Sequence, residues 1–351
     1  MKKNIALVIL MIMALVMFGC SSNEKNYVEN NPDNSSSSSS AWLSGLITRV
    51  PVLFGVGDKY YKPATPIGSS LYWINTITGS ATLIGDIGYE VEGIAYDAIT
   101  NKLYGITSSL FRQVGGSQLI QIDMATGAGS LIGTITPGED YFSNPTFNSL
   151  GNLYAVNNSS NRLCTINLTT AEADCFGNAE AAYKTLDDDD DFGPLNLKDR
   201  GLAFNNIDVL NLIVPGAKAE YKDDDDSSAD ARIYTFNADH MKFDYQRTIH
   251  GLPYGMAPNG DFDPLTGIYW GLDSFYYYGN DDDDDVISLD DDDYHAKRNL
   301  LMINVDGGNL VKTIPTIDNL YAMTFGYLDA STLMKMGLND LIDFLCPKTD
   351  Q

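Results

Sequence analysis

The sequence predicts an all-β fold: a five-bladed β-propeller whose fifth blade is shared between the N- and C-terminal ends, followed by a short C-terminal helix. Three observations carry this reading. A strand–turn–strand phrase recurs as "SLYWINTITGSATLIG" (70–85), "QLIQIDMATGAGSLIG" (118–133) and "RLCTINLTTAEADCFG" (162–177), with weaker copies at "RIYTFNADH" (232–240) and "NLLMINVDGG" (299–308). A second strand pair lies between the copies, as "EGIAYDAITNKLYGIT" (92–107), "PTFNSLGNLYAVN" (145–157), "GLAFNNIDVLNLIV" (201–214) and "GDFDPLTGIYWGL" (260–272). Period-two alternation and polar turns rich in Gly mark these as antiparallel strands, and a four-strand unit returning every ~45–70 residues is the grammar of a propeller blade.

The third observation is the count of strands. Four complete units run from Glu92 to Pro315. A lone strand, "LYAMTFG" (320–326), is left at the C-terminal end, and three strands at the N-terminal end (52–56, 71–75 and 81–85) have no first strand before them. Joining the two remnants leaves no sheet edge unpaired, which matters because open edges invite aggregation. A ring of six or seven blades would need buried strands within 178–199 or 273–298, which are too acidic. A sandwich does not explain the regular return of one phrase. The "GIAYD" and "FDPLTG" phrases resemble YVTN-like and PQQ-like repeat propellers of bacterial lipoproteins. That resemblance implies that the "GIAYD" type of strand lines the central channel, with the other three following outward.

Outside the repeats the chain changes character. Lys2 and Lys3 precede fourteen apolar residues, Ile5 to Phe18, and then Gly19-Cys20, a run too short for a comfortable membrane span. This resembles a bacterial lipoprotein signal, which implies a signal peptide over 1–19 and diacylglycerol on Cys20. Ser21 resembles the residue found in lipoproteins sorted to an outer membrane. Residues 20–45 then form a Ser/Asn-rich tether reaching ~25 Å as a coil, the propeller covers 46–328, and 329–351 makes the helix. In that last segment Leu333, Met336, Leu341, Ile342, Phe344 and Leu345 fall at helical spacing before Pro347.

Charge gives the remaining leads. The 351 residues hold 47 acidic and 22 basic side chains, a net charge of −25, which disfavours nucleic acid and anionic lipid as partners. Eighteen of the acids are aspartates in four runs, 187–191, 223–226, 281–285 and 290–293. In an antiparallel blade the second-to-third loop and the crossover to the next blade share one face, and every run falls in such a connection. The runs are either solvated low-complexity loops or a low-affinity Ca²⁺ site, for which Asp187, Asp189, Asp191, Asp223, Asp225, Asp281, Asp283, Asp285, Asp290 and Asp292 are the candidate ligands. Aspartates adjacent in an extended run point to opposite sides, so alternate residues are chosen. The same face carries Tyr60, Tyr61, Tyr276 and Tyr277, suited to stacking on a glycan.

With only three histidines and no Cys-x-x-Cys, zinc and haem are not expected. Cys164 and Cys175 sit opposite each other on one hairpin and are expected to form a disulfide in an oxidising compartment, with two buried thiols as the alternative. Some propellers are hydrolases that hold a cation where each inner strand begins. Here those positions are Glu92, Asn144, Arg200, Asn259 and Asn319, a polar channel mouth but a poor divalent cage. The sequence thus points first to a non-enzymatic, lipid-anchored envelope protein that binds a protein, glycan or cation partner through its acidic, Tyr-rich face. A metal-dependent hydrolase or lactonase and a structural envelope scaffold are the alternatives, and no nucleic-acid partner is expected.

Overall fold

The structure, a computed structural model, describes residues 49–58, 68–107, 116–137, 140–176, 197, 201–215, 228–253, 256–273, 298–317 and 319–329. The chain divides into two compact units, Met1–Val50 with Leu328–Gln351, and Pro51–Tyr327. The signal, the tether and the C-terminal helix expected from sequence lie outside the described residues.

Twenty strands are described, and among the described residues there is no α-helix. The first sheet places β20 (Leu320–Asp329) beside β1 (Arg49–Asp58), then β2 (Ser69–Ile74) and β3 (Ala81–Asp86). The last described strand therefore pairs with the first described one. The second sheet is β4 (Val91–Asp97), β5 (Lys102–Thr107), β6 (Gln118–Ile122) and β7 (Gly129–Thr134). The third is β8 (Phe142–Phe147), β9 (Leu153–Asn157), β10 (Arg162–Ile166) and β11 (Ala173–Phe176).

An eight-stranded sheet holds the rest. One half is β12 (Gly201–Phe204), β13 (Leu210–Pro215), β14 (Ser228–Asn237) and β15 (Lys242–Pro253), the other β16 (Met256–Phe262), β17 (Tyr269–Asp273), β18 (Arg298–Asn304) and β19 (Asn309–Thr316). The halves are antiparallel meanders that touch through one parallel pair, His250↔Asn309. The long strand β15, with bulges in its pairing to β14, is what reaches across. The architecture is all-β, repeat-built and propeller-like.

Strands such as β4 and β5 are buried on both faces, whereas the outermost β3, β7 and β19 keep much of their surface exposed. Successive side chains point to opposite faces, so neighbours in sequence enter different cores. Tyr269 joins the cluster shared with β12–β15, whereas Trp270 joins the one shared with β20, β1 and β2. Leu301 and Leu300 divide the same way, as do Ile213 and Leu212. Each core cluster is thus a layer between two successive sheets, and a change to one strand is felt in two cores.

Sheets also meet at backbone level. A Cβ on Gly85 of β3 would overlap the Thr126 carbonyl, in the turn between β6 and β7. Gly133 of β7 faces Ala171 in the β10–β11 turn, and Gly79 in the β2–β3 turn faces the Pro315 carbonyl of β19. The recurring Gly of the "LIG" phrase is explained by this close approach.

Candidate functional site

The two edges of the sheets are built differently. At one edge, nine short turns join the strand pairs, and all begin with Asn or Asp: residues 75, 97, 123, 148, 167, 205, 237, 263 and 304. In each, the Oδ1 of that residue accepts a backbone N–H from two or three positions on, as in Ile77 and Thr78 to Asn75 (2.9 and 3.0 Å) or Ala125 and Thr126 to Asp123 (2.8 and 3.0 Å). The turn then closes on a residue with positive φ, such as Gly79, Asn101, Gly127 or Gly267. Glycine and asparagine pay least for that conformation, and Asx side chains satisfy turn amides that would otherwise be bare. These Asp carboxylates, Asp97, Asp123 and Asp263, are engaged by the amides of their own turns.

The other edge carries the long connections, 59–68, 108–117, 177–200, 216–227 and 274–297. The connection between β11 and β12 holds Asp187, Asp189 and Asp191; that between β13 and β14 holds Asp223 and Asp225. The connection between β17 and β18 holds Asp281, Asp283, Asp285, Asp290 and Asp292 with Tyr276 and Tyr277, and Tyr60 and Tyr61 lie between β1 and β2. All of these residues, and Cys20, lie outside the described residues. What is described is the root of each connection. At the β17–β18 root, Asp273 accepts the Asn299 backbone N–H (2.8 Å) and its amide (2.6 Å), while Arg298 donates to the Asp273 carbonyl (3.1 Å). Burial lowers the Arg298 guanidinium to about 10, partly offset by Asp273. Thr107 Oγ1 accepts the Gln118 N–H (2.9 Å) at the β5–β6 root.

The described residues among those expected at a channel mouth differ from one another. Asn319 is exposed and Glu92 half-buried. Asn144, by contrast, is 1% exposed, has φ of 52°, and neither side-chain polar atom finds a partner among the described residues. Asn259 is placed only as backbone in β16, and Arg200 lies outside the described residues.

The side chain that sequence reasoning missed is Asp261 on β16. It is half-buried, and desolvation lifts its carboxyl to about 6 against hydrogen bonds that pull it down. Oδ2 accepts the Thr324 hydroxyl (2.8 Å) and the Phe325 N–H (2.9 Å), both on β20, and Oδ1 accepts the Phe262 N–H (2.8 Å). The residue thereby fastens β16 to the strand that pairs with the N-terminal end. Thr146 does the equivalent between β8 and β12, its Oγ1 accepting the Phe204 N–H (3.3 Å). Asp261, Thr146 and Thr324 line a cavity of about 30 Å³ together with Ile94, Tyr96 and Met323, room for a water or two. Tyr269, close enough for its phenol to be raised by Asp261 and by its own burial, packs nearby. A buried acid without a His or Lys partner could have been suspected only from "GDFD", where the second Asp already has a turn to build.

Cys164 and Cys175 are directly opposed in the β10–β11 ladder and joined by a disulfide, with Cα atoms 3.9 Å apart. Among the described residues no group of three or more His, Cys, Asp or Glu side chains could hold a metal.

No protein-family model and no curated protein matches the sequence. Among solved structures, the chain is similar to a protein of unknown function from Bacteroides thetaiotaomicron (16% identity, TM-score 0.37, 58% of this chain and 51% of that one). It is also similar to TolB from Acinetobacter baumannii (12% identity, TM-score 0.42, 79% and 66%). A third is a putative 6-phosphogluconolactonase from Bacteroides uniformis (10% identity, TM-score 0.38, 76% and 83%). The chain spans about half the length of the first of these.

Proposed function

We propose that the chain is a five-bladed β-propeller, exported and held at the cell envelope by a lipid on Cys20, that works as a non-enzymatic binding module. In this reading the five four-strand groups are the blades, and the blade of β20 and β1–β3 joins the two ends. The acidic, Tyr-rich connections form the binding face, and divalent cations, Ca²⁺ first, are the ligand class.

The observation that carries the reading is connectivity. All four Asp runs join strand ends at one edge of three successive four-strand groups, whereas the opposite edge holds short Asx turns. Charge gathered that way makes a local field in which each added carboxylate raises cation affinity. The channel supports hydrolysis less well, because the space beside Asp261 is water-sized and an organic substrate has no room there.

Calorimetric titration of the full chain with Ca²⁺ tests the reading. Binding with Kd of about 10⁻⁴–10⁻³ M and a raised melting temperature are expected. Serine in place of the ten candidate aspartates should abolish both. Heat and melting temperature unchanged at millimolar Ca²⁺ would remove cations as the ligand class.

A further inference from the structure

The short-turn edge has a feature its tidy chemistry does not require. The turns β4–β5, β8–β9, β12–β13 and β16–β17 each lift one large aliphatic side chain at the equivalent position, two residues past the leading Asx. They are Ile99, Leu150, Ile207 and Leu265, and they are 59%, 72%, 74% and 69% exposed. Turn geometry needs only the Asx and the positive-φ residue, so any polar side chain would serve at the tip.

The four tips are held together. Gly151 leaves room for Ile99, whose Cδ1 is 3.6 Å from where a Cβ would stand. The Ser149 N–H donates to Asp208 Oδ1 (2.7 Å), joining the second turn to the third. Gly267 in the fourth turn lies against Asn206 in the third. The aliphatic groups therefore stand on rigid, mutually braced turns in an unbroken arc.

The charge within these four turns is largely engaged. The four turns carry the carboxylates of Asp97, Asp208 and Asp263, and each is engaged: Asp97 and Asp263 accept their own turn N–H groups and Asp208 accepts the Ser149 N–H; Lys102 stands at the foot of the first turn. We propose that this arc is a lipid-contact surface, which seats the short-turn edge in the headgroup layer of a zwitterionic bilayer.

Charge and area select that occupant. A basic partner would be drawn to the acidic edge, not to this one. Anionic lipid would be repelled by a chain of net charge −25. A second copy needs roughly 800 Å² per partner for a stable contact, and four separate side-chain tips fall well short of it. Separate tips do suit a headgroup layer, where each aliphatic inserts independently and adds its own burial. The proposal does not depend on the lipid at Cys20.

The test reads depth, so that it is not confused by whatever else holds the chain on a vesicle. The full chain carrying Leu150→Trp, and a second carrying Tyr245→Trp on the outermost strand β15, are mixed with phosphatidylcholine vesicles bearing brominated acyl chains. Trp42, Trp73 and Trp270 give a background common to both. Quenching of the probe at 150 should exceed that at 245 by about threefold. Adding Ile99→Ser, Ile207→Ser and Leu265→Ser should erase the difference while leaving the thermal transition in place. Equal quenching at the two positions overturns the proposal. So does sedimentation showing a dimer whose contact shields position 150, because a second copy would then be the occupant.

Discussion

The nine Asx turns and the strands β4, β8, β12, β16 and β20 solve two kinds of problem, and they solve them in opposite ways. Each turn carries its own side-chain acceptor and its own positive-φ residue, so one recipe is repeated nine times even where neighbouring turns also touch. Those strands meet across sheets, and there the equivalent positions are Ala95, Thr146, Ala203, Asp261 and Thr324. No two successive junctions are alike. Repetition works where a structural need is local; where it is shared between sheets, each junction is settled by whichever amide is left over.

A turn that loses its independence is the place where this contrast breaks. Gly79 is such a turn residue, because the Pro315 carbonyl sits where its Cβ would be and its φ is 77°. Gly79→Ala should cost about 3 kcal/mol, combining left-handed strain with backbone overlap. Gly88→Ala is the matched control: its φ is 78°, but nothing lies within 4 Å of the added atom, so strain alone should cost about 1–2 kcal/mol. Urea unfolding of both variants decides the point, and equal losses would show that contact with the next sheet is irrelevant.

Asp261 sharpens the other half of the contrast. Its folded pKa of about 6 lies above the ordinary 3.8, so the folded state binds the proton more tightly than the unfolded one. The carboxyl therefore contributes least above pH 6, and stability rises as pH falls from 7 through 6 towards 4, by up to about 3 kcal/mol. This runs against the usual carboxylate trend. Asp261→Asn keeps one oxygen for Thr324 and Phe325 and should flatten the pH 7 to 5 slope relative to the unsubstituted chain. Identical slopes in the two proteins would mean that Asp261 is not the titrating group.

The same contrast explains what could be read from the sequence. The strand phrases, the pairing of the last strand with the first, and the Asx turns are repeated or complementary, and repetition is visible in a single chain. The Cys164–Cys175 bond followed from aligning one copy with another. Asp261 was not visible, because period two says which face a residue takes but not which neighbouring N–H lacks an acceptor. The burial of Asn144 was not visible for a related reason: alternation does not say whether a polar residue near the start of a strand reaches solvent. The parallel contact between β15 and β19 also had no signal, since it depends on how far an outer strand extends.

Within the turns, departures from the shared recipe should carry a measurable cost. Most close on Gly or Asn, but the β14–β15 turn, led by Asn237, closes on Met241 with φ of 51°. A side chain there suffers the left-handed clash between Cβ and carbonyl, about 1–2 kcal/mol, while glycine would give back roughly 0.5–1 kcal/mol in unfolded-chain entropy. Met241 is exposed, so little burial is lost with its side chain. Met241→Gly should therefore stabilise the protein by about 0.5 kcal/mol, read as a small rise in the urea midpoint at unchanged slope. A lower midpoint would mean that Met241 is held by packing the turn recipe does not include, and that the turns are less self-sufficient than their hydrogen bonds imply.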